Sequence, residues 1–137
     1  MSKKTNTDFL AAYIELDTVC NELLDTRHGG ISEYINRLKE SPAHDVDNFT
    51  KKKLISYRAI RNRLAHEEGA LKDIDEVTRS DIKWIKEFKK SIERRRDPIS
   101  LLEKKTKSKR NTRLIFALAA FAIVAIAVIA AIVAFVI

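Results

Sequence analysis

The stretch Arg61-Asn62-Arg63-Leu64-Ala65-His66 gathers two guanidiniums, a carboxamide and an imidazole within about two turns of a helix. An imidazole passes protons near neutral pH, and a guanidinium grips a phosphate through two parallel N–H donors. Cleavage of an RNA backbone without a metal ion needs these groups. A proton carrier serves the ribose 2′-hydroxyl, and a fixed cation meets the charge that builds on the phosphorane. Arg61 and His66 are therefore the candidate catalytic pair, with Asn62, Arg63 and Arg58 as candidate substrate-binding residues.

Helix geometry constrains that pairing. Asn62 and His66 are four residues apart and share a face. Arg61 and His66 are five apart, which separates them by about 140° around a straight helix. Their convergence requires the helix to fray near His66, or a second protomer to supply one partner.

The elements that must position the motif read as helices. The first is predicted from a cap at Thr7 to about Asp25, with Phe9, Tyr13, Leu16, Cys20 and Leu23 at three- and four-residue spacing. His28-Gly29-Gly30 breaks it, and a second helix spans about Ser32 to Glu40 and stops before Pro42. The third begins near Asp47 or Asn48, buries Phe49, Leu54, Tyr57, Ile60 and Leu64, and fades between His66 and Gly69. A loop containing Leu71 and Ile74 leads to Thr78-Arg79-Ser80-Asp81, which resembles a capping box with Asp at its third position. The fourth helix runs on to about Arg95, with Ile82, Ile85, Phe88 and Ile92 inward and Trp84 at the edge of that face. No alternating strand pattern occurs. The expected fold is all-α: a small antiparallel four-helix bundle over 1–96, with so modest a core that a homodimer is expected to supply further burial.

Two further segments are expected, a basic juxtamembrane linker over 97–113 and a transmembrane helix over 114–137. Leu114 to Ile137 contains no charged or polar residue and would extend about 36 Å as a helix, against about 30 Å of hydrocarbon. The expectation from this run is a single-pass C-terminal anchor. The N-terminus lacks the apolar core of a signal peptide, and basic flanks are retained on the cytoplasmic side, so the bundle is expected to be cytoplasmic at a membrane. The net charge of +7 belongs to that flank: residues 94–113 carry nine Lys and Arg against Asp97 and Glu103, while residues 1–93 balance. The high pI therefore predicts attraction to anionic headgroups and is no nucleic-acid footprint. Within the balanced part, however, Phe49 to His66 holds six basic residues and no acid.

Ile60-Arg61-Asn62-Arg63-Leu64-Ala65-His66, near the end of the third helix of an all-α domain, resembles the R-N-x-x-x-H signature of HEPN domains. The resemblance covers about Asp8 to Arg95 in architecture and rests on this motif in residue identity. It implies a metal-independent endoribonuclease of stress response or defence, acting as a dimer with two motifs in one cleft. His66 would then be the general base or acid, Arg61 would hold the scissile phosphate, and Asn62 would orient the imidazole or the phosphate. The toxin branch of the family has a tyrosine two residues after the histidine; here that position is Glu68.

Other chemistry finds little support. His28 and His44 lie in loops without a metal-ligand arrangement, and no cofactor or metal is expected. The single Cys20 sits on an apolar stripe, excludes an internal disulfide and reads as a core residue. The competing function is a non-enzymatic membrane adaptor or assembly module that binds a protein partner. In that case Arg61 pairs with an acid, and His66 answers only the dipole of its helix end.

Overall fold

The computed structural model describes the backbone of residues 2–41, 48–66 and 76–136, and the side chains of residues 3–41, 48–66, 76–126, 128 and 129. The loop residues Leu71 and Ile74, the acids Glu67 and Glu68, and His44 lie outside them. Among the described residues there are five helices and no strand: α1 Ser2–Leu24, α2 Gly30–Glu40, α3 Asn48–His66, α4 Arg79–Glu93 and α5 Pro98–Val136. The chain divides into two compact units, Met1–Leu101 and Leu102–Ile137.

In the first unit α1 is the central element, packed against α2, α3 and α4. It starts six residues earlier than a Thr7 cap would place it. The Thr7 hydroxyl donates to the Lys3 carbonyl at 2.9 Å and so bonds back along the helix instead of capping it. Phe9, Leu16 and Cys20 of α1 are buried with Ile31, Tyr34 and Ile35 of α2, Leu54 of α3, and Ile85 and Ile92 of α4. These are the positions that the helical period assigns to the core. Aromatic rings fill the centre: Phe9 meets Tyr57 edge-on at 5.7 Å, Tyr34 meets Phe88 edge-on at 5.5 Å, and Trp84 stacks on Phe88 at 5.0 Å.

Phe49 departs from the periodic reading. It is 63% exposed, close to the start of α3, with its ring edge-on to Trp84 at 6.5 Å. Together with Tyr57 and Trp84 it surrounds the Lys53 ammonium, which lies 5.2–5.5 Å from the three ring centroids.

The capping box forms. The Thr78 side chain accepts from the Asp81 N–H, and the Asp81 carboxylate accepts from the Thr78 N–H at 3.0 Å. The Tyr57 hydroxyl donates to the same carboxylate at 2.7 Å, tying α3 to the start of α4. Asp97-Pro98, expected at the head of a linker, is instead part of the bundle. Asp97 is wholly buried; its Oδ1 accepts from the Tyr34 hydroxyl at 2.7 Å and from the N–H groups of Ile99 and Ser100 at 3.1 and 3.2 Å. A capping carboxylate followed by proline in the first helical position starts α5, because proline lacks an N–H that would have no partner there.

The second unit is helical to Val136, and its apolar side chains from Leu114 to Ile126 are exposed. Among the described residues no helix is long and apolar enough to cross a membrane. The expected transmembrane helix over 114–137, and the membrane location built on it, are corrected accordingly. Ala127 and 130–137 lie outside the described side chains.

Candidate functional site

Arg58, Arg61 and Asn62 stand at i, i+3 and i+4 on α3, so they face one way. They face a cleft of about 430 Å³. Its other walls are Tyr13, Ile14, Asp17, Thr18 and Asn21 of α1, His28 and Gly29 of the α1–α2 turn, and Ser32 of α2. Arg58 donates to the Ser32 hydroxyl at 3.3 Å, and Arg61 to the Asn62 carboxamide oxygen at 3.3 Å. Neither guanidinium forms an ion pair among the described residues.

The Asp17 carboxylate also lines the cleft, but both its oxygens are engaged. Oδ1 accepts from the Ile31 N–H at 2.9 Å, and Oδ2 accepts from the Asn21 carboxamide at 3.4 Å. Asp17 thus caps α2 from a neighbouring helix, which explains why α2 begins at Gly30 and not at Ser32. Tyr13 reports the field of the cleft. Burial, then the Asp17 carboxylate, push its hydroxyl up to about 12, against the opposing pull of Arg61 and Arg58.

The turn that carries His28 is pinned. Thr26 donates through its N–H to the Asn21 carbonyl at 3.0 Å and through its hydroxyl to the Asn21 carboxamide oxygen at 2.8 Å. Gly29 adopts φ 70°, where a side chain would be strained. Gly30 lets α2 lie against the α1 backbone: a Cβ there would fall 2.6 Å from the Asp17 carbonyl oxygen and 2.8 Å from the Cys20 carbonyl carbon. Sequence reasoning weighed His28 only as a metal ligand and did not weigh Asp17 or Tyr13 for this site. A signal existed for His28, since His-Gly-Gly announces a tight turn that holds its side chain near a helix end.

The rest of the motif lies elsewhere. Arg63 reaches Glu76 with both oxygens of the carboxylate at 2.8 and 3.0 Å and does not line the cleft. His66 is the last residue of α3; it is exposed and also does not line the cleft. Within one chain the structure therefore brings together Arg58, Arg61 and Asn62, and leaves Arg63 and His66 apart from them. The basic run divides likewise, for Lys53 belongs with Asp81 at 3.6 Å.

Cys20 is buried, and burial, with Asp17 and Asp97 nearby, pushes its thiol up, away from the reactive thiolate. It is a packing residue. No curated protein and no solved structure matches the chain. A family model described as a family of unknown function matches residues 7–117, most of the bundle and the basic segment after it. The chain belongs to that family, DUF6548.

Proposed function

We propose that this chain is a HEPN-like, metal-independent endoribonuclease whose reaction centre is completed between two protomers. The observation that carries this reading is the division of the motif: Arg58, Arg61 and Asn62 line one cleft, and His66 ends the same helix in solvent. A cation site and a proton carrier on different faces of one helix suit a symmetric pair of chains, in which one protomer's His66 approaches the other's Arg61. The imidazole takes the proton of a ribose 2′-hydroxyl, and the 2′-oxygen attacks phosphorus. The bond to the 5′-oxygen breaks, and the leaving oxygen takes a proton, giving a 2′,3′-cyclic phosphate and a 5′-hydroxyl. Arg61 meets the charge on the equatorial oxygens.

The test uses the full chain, a single-stranded oligoribonucleotide and a chelator. Cutting should persist in the chelator and fall at least a hundredfold in both Arg61→Ala and His66→Ala, within the range for general acid–base groups. Mixing the two inactive variants should restore part of the activity, because each hybrid dimer contains one intact composite site. Equal cutting by wild type and the double variant would sink the proposal.

A non-enzymatic assembly module is the second reading. It is favoured by the exposure of Ile14 and Phe49, large apolar side chains on the bundle surface. In that case His66→Ala leaves self-association and partner binding unchanged, while Ile14→Asp or Phe49→Asp abolishes one of them.

A further inference from the structure

The cleft holds an imidazole that neither the motif nor the family match assigns. His28 lines it from the α1–α2 turn, opposite the α3 residues Arg58, Arg61 and Asn62. We propose that this cleft is a phosphodiester-binding subsite for single-stranded RNA, with His28 as a phosphate contact beside Arg58 and Arg61. The proposal rests on RNA being the ligand, as inferred above, and adds where the strand lies next to the cut.

Four features support it. The cleft has the size of a small-ligand site, at about 430 Å³, roomy enough for one phosphate with its flanking sugar. Two guanidiniums enter it without an ion pair among the described residues, so their N–H donors remain available beyond the bonds to Ser32 and Asn62. The carboxylate that lines the cleft, Asp17, is held by the Ile31 N–H and the Asn21 carboxamide and makes no ion pair with either guanidinium among the described residues. Finally, the His28 turn is fixed by the Thr26–Asn21 bonds and by the close approach of Gly30 to α1, so the imidazole is presented without a large ordering cost.

Spacing then gives a direction. Arg58 precedes Arg61, the residue assigned to the phosphate being cut, by about 4.5 Å along α3. A phosphate seated between His28 and Arg58 therefore neighbours the one being cut. Ile14, exposed on the cleft wall, offers an apolar surface to the intervening base.

The experiment is a binding titration of the full chain with a fluorescein-labelled 2′-O-methyl oligouridylate, which cannot be cut through its 2′-oxygens. His28→Ala and Arg58→Ala should each weaken binding roughly tenfold or more, the size of a lost hydrogen bond to a charged group. His28→Gln, which keeps an N–H donor, should recover part of the loss, and Lys86→Ala, on exposed α4 surface, should change nothing. Because one phosphate is shared, the double variant should lower the slope of log affinity against log salt by about 0.7, the single-strand value for one phosphate contact. The His28 imidazole resonances should shift when the oligonucleotide is added.

Unchanged affinity in His28→Ala, or an unmoved His28 resonance, would overturn the proposal even if Arg61 and His66 still proved necessary for cutting. Conversely, loss of binding in His28→Ala and Arg58→Ala, in a chain that never cuts unmodified oligouridylate, would uphold the subsite and discard the ribonuclease reading. A thermal midpoint measured for each variant separates lost contacts from lost folding.

Discussion

Asp17 on α1 accepts a hydrogen bond from the backbone N–H of Ile31 at 2.9 Å, so the first turn of α2 is capped by a residue of another helix. The same carboxylate lines the cleft that Arg58, Arg61 and His28 share. One side chain therefore both sets the helix start and forms part of the cleft wall. Asp17→Ala should cost about 1 kcal/mol, the usual loss for a helix cap, measured by urea denaturation. Asp17→Asn keeps a carbonyl acceptor and should cost less.

Gly30 is the position where α1 and α2 cannot tolerate a side chain, because the obstructing atoms are backbone atoms of Asp17, Cys20 and Asn21. Gly30→Ala should destabilise the bundle by about 1–3 kcal/mol or more, as overpacking does. It should also displace the His28 turn. An unaltered denaturation midpoint would refute the close packing of these two helices.

The Asp97–Tyr34 bond joins α2 to the start of α5 inside the core. Tyr34→Phe removes one of three donors to Asp97 Oδ1 and should cost about 1–3 kcal/mol, the range for losing a partner of a buried charged group. Burial and the Asp97 charge push the Tyr34 hydroxyl well up, so it stays protonated and keeps donating across the ordinary pH range. A Tyr34→Phe chain as stable as wild type would count against that role.

Asp81 supplies a pH dependence. Burial acts to raise its carboxyl, but the hydrogen bonds from the Thr78 side chain, the Tyr57 hydroxyl and the Thr78 N–H, with the Lys53 charge, outweigh burial and hold it low. A carboxyl lower in the folded than in the unfolded chain stabilises fully above the unfolded value, near 4, and loses that contribution as pH falls through the folded value. The thermal midpoint should therefore decline below about pH 4, and less steeply in Asp81→Asn. Parallel declines in the two proteins would show that other groups govern the acid limb.

Cys20 should resist alkylation in the native chain, since its thiol is buried and pushed up by burial and by the nearby Asp17 and Asp97. Its reaction with a thiol reagent should follow global unfolding, and a fast native-state reaction would show that α1 opens locally.

The amino-acid sequence by itself determined the parts governed by short range. Three- and four-residue spacing placed Leu16, Cys20, Ile35, Leu54, Ile85 and Ile92 in the core. The Thr78–Asp81 cap was legible from residue type, and helical arithmetic turned Arg61 away from His66. What it misassigned, Phe49 to the core and Thr7 to a cap, depended on which neighbour was present at a helix start. The apolar run from Leu114 was legible as composition, but no helix among the described residues has the length and apolarity to cross a membrane. Only the tertiary structure decided that Asp17 caps α2, that Asp97 is buried beneath Tyr34, and that His28 shares a cleft with Arg58 and Arg61. Local patterns fix which way a side chain faces within a turn or two of helix. Which chemistry it meets there depends on how closely the backbones pack, and here the absent side chain of Gly30 sets that distance for α1 and α2.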